Sequence, residues 1–230
     1  QTWDWHIELA EFWHTQTVTG VGHRFAGITE HGILAKIGLN EAGLAVNFNI
    51  LGHAADGAGG VPVHLLARAV LGECASVAEA SELVRSTPVS ASTALTLTDT
   101  AGAVSVEVTP VGVFEVPLRD GYLVRTNHFQ YAEPLGGQKA SYEPDSSERF
   151  ELVTRRLSAG CPVDAAGLVA LLESGPGDPP LSCVADPTMP LGERWQTLAT
   201  VVMSPAERRV RVLDGMPTEA ARLSAAELRV

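Results

Sequence analysis

The stretch Ile33 to Asn49, reading ILAKIGLNEAGLAVNFN, constrains the fold of this chain more than any other. Ile33, Ala35, Ile37 and Leu39 alternate with Leu34, Lys36 and Gly38, and Asn40-Glu41-Ala42-Gly43 offers a turn. Leu44, Val46 and Phe48 then alternate with Ala45, Asn47 and Asn49, so the pattern predicts a β-hairpin. The two-residue period of a strand sets Asn47 and Asn49 on one side. Two primary amides on an otherwise apolar strand need partners if buried. They form either an amide ladder that ties the hairpin to a loop or donors aimed at a developing oxyanion.

Strand patterns are expected over Gln1 to His6 and over Thr15 to Thr29, the latter broken at Gly20, Gly22 and Gly27. After a glycine-rich loop from Leu51 to Val61, Pro62 suits the start of a helix to Glu73, with Val63, Leu66, Ala67 and Val70 on one face. Ser76 and Glu79 form a capping-box pattern for a second helix, with Val77, Ala80, Leu83 and Val84 inward. A meander follows at Thr93–Thr98, Val104–Thr109, Val113–Pro117 and Tyr122–Thr126, its first turn at Asp99 to Gly102. Asp145 caps a predicted helix to Leu157, apolar at Phe150, Val153 and Leu157. Asp164 caps another that ends at Gly175, with Val163 stapling onto Leu168. Strands at Thr197–Met203 and Arg208–Leu213 and a short terminal helix at Ala220–Leu228 complete the pattern. Blocks of strands alternate with pairs of helices, unlike the strict alternation of a doubly wound sheet, and predict one α+β domain of two sheets with helices outside. Gly175 to Arg194 carries no periodicity, and a loop of this length inside a domain is more often functional than inert.

A chain of 230 residues can bury a substantial core. Its net charge of −11 argues against nucleic-acid binding. No apolar run approaches the ~20 residues of a membrane span, so neither nucleic acid nor membrane is an expected partner. Cys74, Cys161 and Cys183 are odd in number and lack CxxC spacing. That fits neither a disulfide framework nor a zinc site, and points to a reducing, cytoplasmic setting. The scattered histidines make no metal motif, and GxSxG, GxGxxG, P-loop and HExxH patterns are missing, so no metal or cofactor is expected. The chain starts without Met in a strand-like segment, as a processed or truncated start would.

Four clusters could carry chemistry. In Thr2-Trp3-Asp4-Trp5-His6 a carboxylate sits between two large aromatics and either orients an amine or holds a strand end. Asn47 and Asn49 are the second. In Arg125-Thr126-Asn127-His128-Phe129 a strand ends in a polar cluster, where Asn127 is either functional or a turn cap. In Ser182-Cys183-Val184 no nearby residue lowers the thiol pKa, so an idle thiol is the better reading there, and also for Cys74 and Cys161.

Taken in order, Gln1-Thr2-Trp3-Asp4-Trp5, Gly32 to Asn49, Gly60-Val61-Pro62-Val63-His64 and Thr126-Asn127-His128 resemble the isopenicillin N (acyl-coenzyme A:6-aminopenicillanate) acyltransferase family of cysteine N-terminal-nucleophile hydrolases. The resemblance implies a four-layer αββα sandwich, two antiparallel sheets between helix layers. It also implies a precursor that cleaves itself to expose an N-terminal cysteine, whose thiol attacks an amide or thioester with its own α-amine as base. An α-amine with a pKa near 8 is well placed for that proton transfer.

By the same resemblance Asp4 holds the nucleophile's amine, Asn49 or Asn47 faces the oxyanion, and Asn127 contacts the amine or the oxyanion. In relatives the nucleophilic Cys lies upstream of the Gln-x-Trp-Asp segment, where this chain begins, so the expected domain of residues 1–230 lacks its nucleophile strand and pro-segment. Relatives also carry a basic residue where Val184 stands, and Arg194 is the candidate substitute. Trp5, Asn47, His128, Phe129 and Arg194 are the expected substrate contacts, and Trp3, Phe12 and Trp13 suit either an acyl pocket or core packing. Expected partners are a small acyl or amide substrate, acyl-coenzyme A as an alternative acyl source, and the chain's own cleaved segment, with homo-oligomerisation left open. The alternative to an enzyme is a catalytically inactive remnant serving as a binding or assembly module.

Overall fold

A computed structural model describes residues 1–139 and 145–230. Its strands are β1 (Thr2–His6), β2 (Trp13–Val18), β3 (Phe25–Glu30), β4 (Ile37–Asn40), β5 (Ala45–Ile50), β6 (Thr93–Thr98), β7 (Ala103–Thr109), β8 (Gly112–Pro117), β9 (Trp195–Ser204), β10 (Arg209–Asp214) and β11 (Ala226–Arg229). Its helices are α1 (Val63–Glu73), α2 (Val77–Ser86), α3 (Ala132–Leu135), α4 (Ser146–Ala159) and α5 (Ala165–Ala170). All described strand pairs are antiparallel. One sheet runs β2 to β8 in chain order, and the other runs β1-β9-β10-β11. Helices α1 and α2 pack on the seven-stranded sheet, β3 and β4 face β10, and α5 lies against β9. These are the two antiparallel sheets and flanking helices that the pattern predicted.

The hairpin forms, with a shorter first strand than expected. Ile33 to Lys36 lie outside the ladder, where Leu34 O accepts from Gln16 Nε2 and Ile33 O accepts from Thr29 Oγ1. Lys36 instead turns inward to Glu30, beneath the rings of Trp3 and Trp5. Asn40 is fully buried and holds the turn, its Oδ1 accepting from Leu44 N at 2.9 Å. Its Nδ2 donates to Leu71 O and Cys74 O, carbonyls at the end of α1 that have no helical partner. Gly27 does not break β3 but sits within it, opposite Gly38. A Cβ on Gly27 would lie 1.9 Å from Ile37 O, so the strands approach closely only because both residues lack side chains.

Other departures follow from tertiary contacts. Tyr122 to Thr126 makes no ladder, because side chains hold it instead, Arg125 to Glu107 and Thr126 to the carbonyl of Ser146. Asp145 does not cap α4 with its side chain, whose Oδ1 accepts from Arg149 Nε at 2.9 Å. Asp164 does cap α5, but that helix ends before Leu171, and Val163 is fully exposed, so the expected staple is not made. The expected terminal helix is replaced by β11, where pairing with β10 overrides the helix propensity of Ala, Leu and Glu. The span 175–194 contains no helix or strand, as the sequence implied.

The core spans both sheets, with Phe25, Ile28, Ile37, Leu39, Val46, Phe48, Leu66, Val70, Leu71, Leu95 and Val106 all buried. Replacing Asn40 by Ala strands two carbonyls and one amide in this core. We expect a loss on the order of 3 kcal/mol of unfolding free energy, read from urea denaturation, without a change of fold in far-UV circular dichroism.

Candidate active site

Period-two alternation divides β5. Val46 and Phe48 face α1, while Ala45, Asn47 and Asn49 line a cavity of about 600 Å³. Asp4 and Trp5 of β1, Lys36, Thr96 of β6, Arg125, Asn127 and Arg149 of α4 also line it. The opposite wall is apolar, built from Val153, Leu157, Leu168, Leu171, Leu172 and Leu181. The cavity therefore has a polar floor and an aliphatic wall, as a site for an acyl group joined to a polar amine requires.

Asp4 is held from behind. Its Oδ1 accepts from Thr197 Oγ1, and that same hydroxyl accepts from Cys183 N at 2.8 Å. Thr197 N returns a bond to Cys183 O at 2.9 Å, so the long loop is docked on β9 beside Asp4. The pairing of β1 with β9 shifts register between Trp3 and Asp4. The other edge of β1 has no strand partner among the described residues. Across the gap between the sheets, the Gln1 side chain behaves as a peptide group. Its Nε2 donates to Phe48 O at 2.6 Å and its Oε1 accepts from Phe48 N at 3.2 Å.

Asn127 is oriented from both ends. Arg149 Nη2 donates to its Oδ1 at 3.3 Å, which fixes the amide flip, and its Nδ2 donates to Ile50 O at 3.2 Å, leaving one N–H to spare. Its backbone N donates to Ser146 Oγ, which also meets His128 Nδ1 at 2.9 Å. Asn47 Oδ1 is buried with no partner among the described residues.

Asp4, Trp5, Asn47, Asn49 and Asn127 are thus gathered at one cavity, and the other expected contacts are not. His128 is turned to Ser146 and packs edge-on against Phe150. Phe129 is buried in a separate cluster with Leu51 and Ala94. Arg194 donates to Met189 O and faces Glu8, outside the cavity, and Val184 is two-thirds exposed. Trp13 packs edge-on against Trp3 at 6.0 Å, and Phe12 is half exposed. Lys36, Thr96 and Arg149 line the cavity without having been singled out in the sequence. Lys36 had a signal, as a lone charge in an apolar hairpin strand. Arg149 had none, because a charge on a helix is ordinary.

Buried cations shape the electrostatics. Burial pushes the Lys36 ammonium below its usual range, and Glu30 partly restores it. His64 stacks on Phe48 with centroids 4.7 Å apart, and burial, then the charge of Lys36, push its pKa below 6.5. Burial and then Arg125 do the same to His128. The unfolded chain thus binds more protons than the folded one just below pH 6.5. The stability these rings contribute is full above that value and is lost as pH falls through the window beneath it. We expect the melting temperature to fall between pH 7.5 and 5.5, and a His64→Phe variant, which keeps the stacking, to show a shallower fall in calorimetry.

The architecture is that of an N-terminal-nucleophile hydrolase. Over 99% of this chain and 87% of the other, it superposes with TM-score 0.65 and 16% identity on a mutant of the conjugated bile acid hydrolase from Clostridium perfringens. Penicillin V acylase from Agrobacterium tumefaciens matches with TM-score 0.61 and 17% identity, over 95% and 77% of the two chains. Within that class the chain belongs to the acyl-coenzyme A:6-aminopenicillanic acid acyl-transferase family, which it matches over residues 1–219. It is 32% identical over 161 residues to the 40 kDa form of acyl-coenzyme A:6-aminopenicillanic-acid-acyltransferase from Emericella nidulans, 69% of this chain and 45% of that protein. The chain thus spans less than half the length of the curated relative it matches. Among the described residues no helix is long and apolar enough to cross a membrane, and no cluster of His, Cys, Asp and Glu could hold a metal ion.

Proposed function

We propose that this protein is a cysteine N-terminal-nucleophile enzyme that cleaves an amide and passes the acyl group to water or to an amine. The observation that carries this reading is the convergence of Asp4, Asn49 and Asn127 on one cavity beside the edge of β1 that has no strand partner among the described residues. The nucleophile belongs to a segment preceding Gln1 that adds to that edge as a strand, since an exposed row of N–H and C=O groups templates such pairing. The cysteines within the chain suit the task poorly. Burial pushes the Cys74 thiol up to about 11, Cys161 is exposed at the apolar end, and Cys183 Sγ donates to Trp195 O.

In this mechanism Asp4, fixed by Thr197, binds the α-amine of the N-terminal cysteine. The amine takes the thiol proton, the thiolate attacks the substrate carbonyl, and a tetrahedral oxyanion forms. The side-chain amides of Asn49 and Asn127 donate to that oxygen, with Arg149 holding Asn127 in the required orientation. Collapse breaks the C–N bond, the α-ammonium returns its proton to the departing amine, and the acyl group remains as a thioester. Water or an amine then repeats the sequence in reverse. The wall formed by Val153, Leu157, Leu168, Leu171, Leu172 and Leu181 receives the acyl chain. An acyl-coenzyme A thioester is chemically suited to the same thiol as an acyl source. The odd number of cysteines, without CxxC spacing, supports a reducing, cytoplasmic setting.

Asn127→Ala and Asn49→Ala should each lower kcat/KM by roughly 10²–10³ at little cost in melting temperature. A fall in both together would instead mark a structural role. Intact-mass analysis of the gene product should find a fragment beginning with Cys shortly before Gln1. A single uncleaved chain without that residue would overturn the reading.

A further inference from the structure

Directly opposed residues of an antiparallel ladder share a face, and two such rows begin at the cavity lining, at Asn47, Asn49 and Thr96, and run on into the buried interior at Ser105, Ala94 and Glu107. Asn47 faces Thr96, which faces Ser105, and beside them Asn49 faces Ala94, which faces Glu107. Glu107 is fully buried, and its carboxylate accepts from Arg125 Nη1 and from the backbone N of Gln130 and Tyr131. Arg125, whose side chain is 4% exposed, spends only one corner of its guanidinium on Glu107. Among the described residues its Nε and Nη2 are buried without a partner, and so are Asn47 Oδ1, Thr96 Oγ1 and Ser105 Oγ. Each orphaned group costs about 1–3 kcal/mol in a fold that has nothing to gain from it. Nε–H and Nη2–H are the two parallel donors of one guanidinium edge, the geometry that grips a carboxylate bidentately.

We propose that Arg125, with Asn47 and Thr96, forms a subsite for a carboxylate on the amine half of the substrate, which is then an N-acyl amino acid. The unpartnered guanidinium edge takes the carboxylate, the hydroxyl of Thr96 supplies a further donor, and Asn47 Oδ1 accepts the amide N–H next to that carboxylate. The acyl chain lies toward the aliphatic wall, so polar and apolar halves of the ligand match those of the cavity. Arg125 is a specificity-determining residue here, and Glu107 positions it. The inference deepens the amidase reading and rests on it for the word substrate, but the subsite itself requires no nucleophile.

The test therefore uses binding rather than turnover. N-(octylsulfonyl)glycine and N-(octylsulfonyl)glycinamide lack a carbonyl that a thiol could attack at the scissile position, and differ only in the terminal charge. Isothermal titration of the full protein should show the acid binding roughly tenfold tighter or more. Arg125→Lys keeps a cation beside Glu107 but loses the paired donors, and should reduce that preference to near unity. Removal of the cation would leave Glu107 buried and alone, so Thr96→Val is the second variant. It should melt no lower than the parent, because it deletes an unpartnered hydroxyl, yet bind the acid several-fold more weakly. Equal binding of acid and amide by the parent, a preference that survives Arg125→Lys, or undiminished acid binding by Thr96→Val would overturn the subsite. An active amidase without the preference refutes only the subsite, and an inactive chain that retains the preference refutes only the catalytic reading.

Discussion

Residues two apart on a strand share a face, and β5 puts that rule to two uses at once. Val46 and Phe48 seat α1 and its ring contact His64, while Asn47 and Asn49 look the other way into the cavity. A one-residue slip in the pairing of β5 with β6 would bury the amides under α1 and turn Phe48 toward the polar floor. The register is pinned at several points. Asn40 ties the turn to the end of α1, the Gly27–Gly38 pair lets the strands close, and the Gln1 amide pairs with Phe48. The site thus inherits its geometry from the same contacts that hold the hairpin.

The sandwich is apolar at one end and polar at the other. Where β3 and β4 meet β10, Ile28, Ile37, Leu39, Val210 and Val212 fill the space between the sheets. Over β5 and β6 that space is left open, and its lining carries the amides of Asn47 and Asn49, the hydroxyls of Thr96 and Thr98 and the guanidinium of Arg125, which pairs with Glu107. Buried ion pairs gain little net stability, because desolvation offsets attraction. Lys36–Glu30 and Arg125–Glu107 are therefore better understood through what they orient than through what they stabilise. Beside them Asn47 Oδ1, Thr96 Oγ1 and Ser105 Oγ are buried with no partner among the described residues, which costs stability.

The loop 175–194 shows how an irregular segment can still be part of a site. Cys183 exchanges two hydrogen bonds with Thr197, and the Thr197 hydroxyl donates in turn to Asp4. Ala185 N donates to Gln196 Oε1, and Leu181 contributes to the apolar wall. The loop thus acts by bracing Asp4 and closing the cavity. Neither Val184 nor Arg194 reaches inside to supply charge.

Local pattern alone determined the hairpin, the turn at Asn40 to Gly43, the cap of α2 at Ser76, the antiparallel block order and the pairing of Asn47 with Asn49 on one face. These are legible because each depends on neighbours within a few residues. The meeting of Asp4 and Asn127 at one cavity was legible only through family resemblance, since nothing local in the sequence brings these two segments together. Tertiary structure alone decided the rest, for reasons of distance and competition. Lys36 left its strand for Glu30, Tyr122 to Thr126 gave up a ladder for side-chain bonds, and the tail became β11 because β10 offered an edge. Phe129 and His128 went to packing and to Ser146, although they adjoin Asn127 in sequence. The joining of Arg125 to Glu107, and the pairing of Thr96 with Ser105 across β6 and β7, exist only in the folded chain, because strands bring together what the sequence keeps apart.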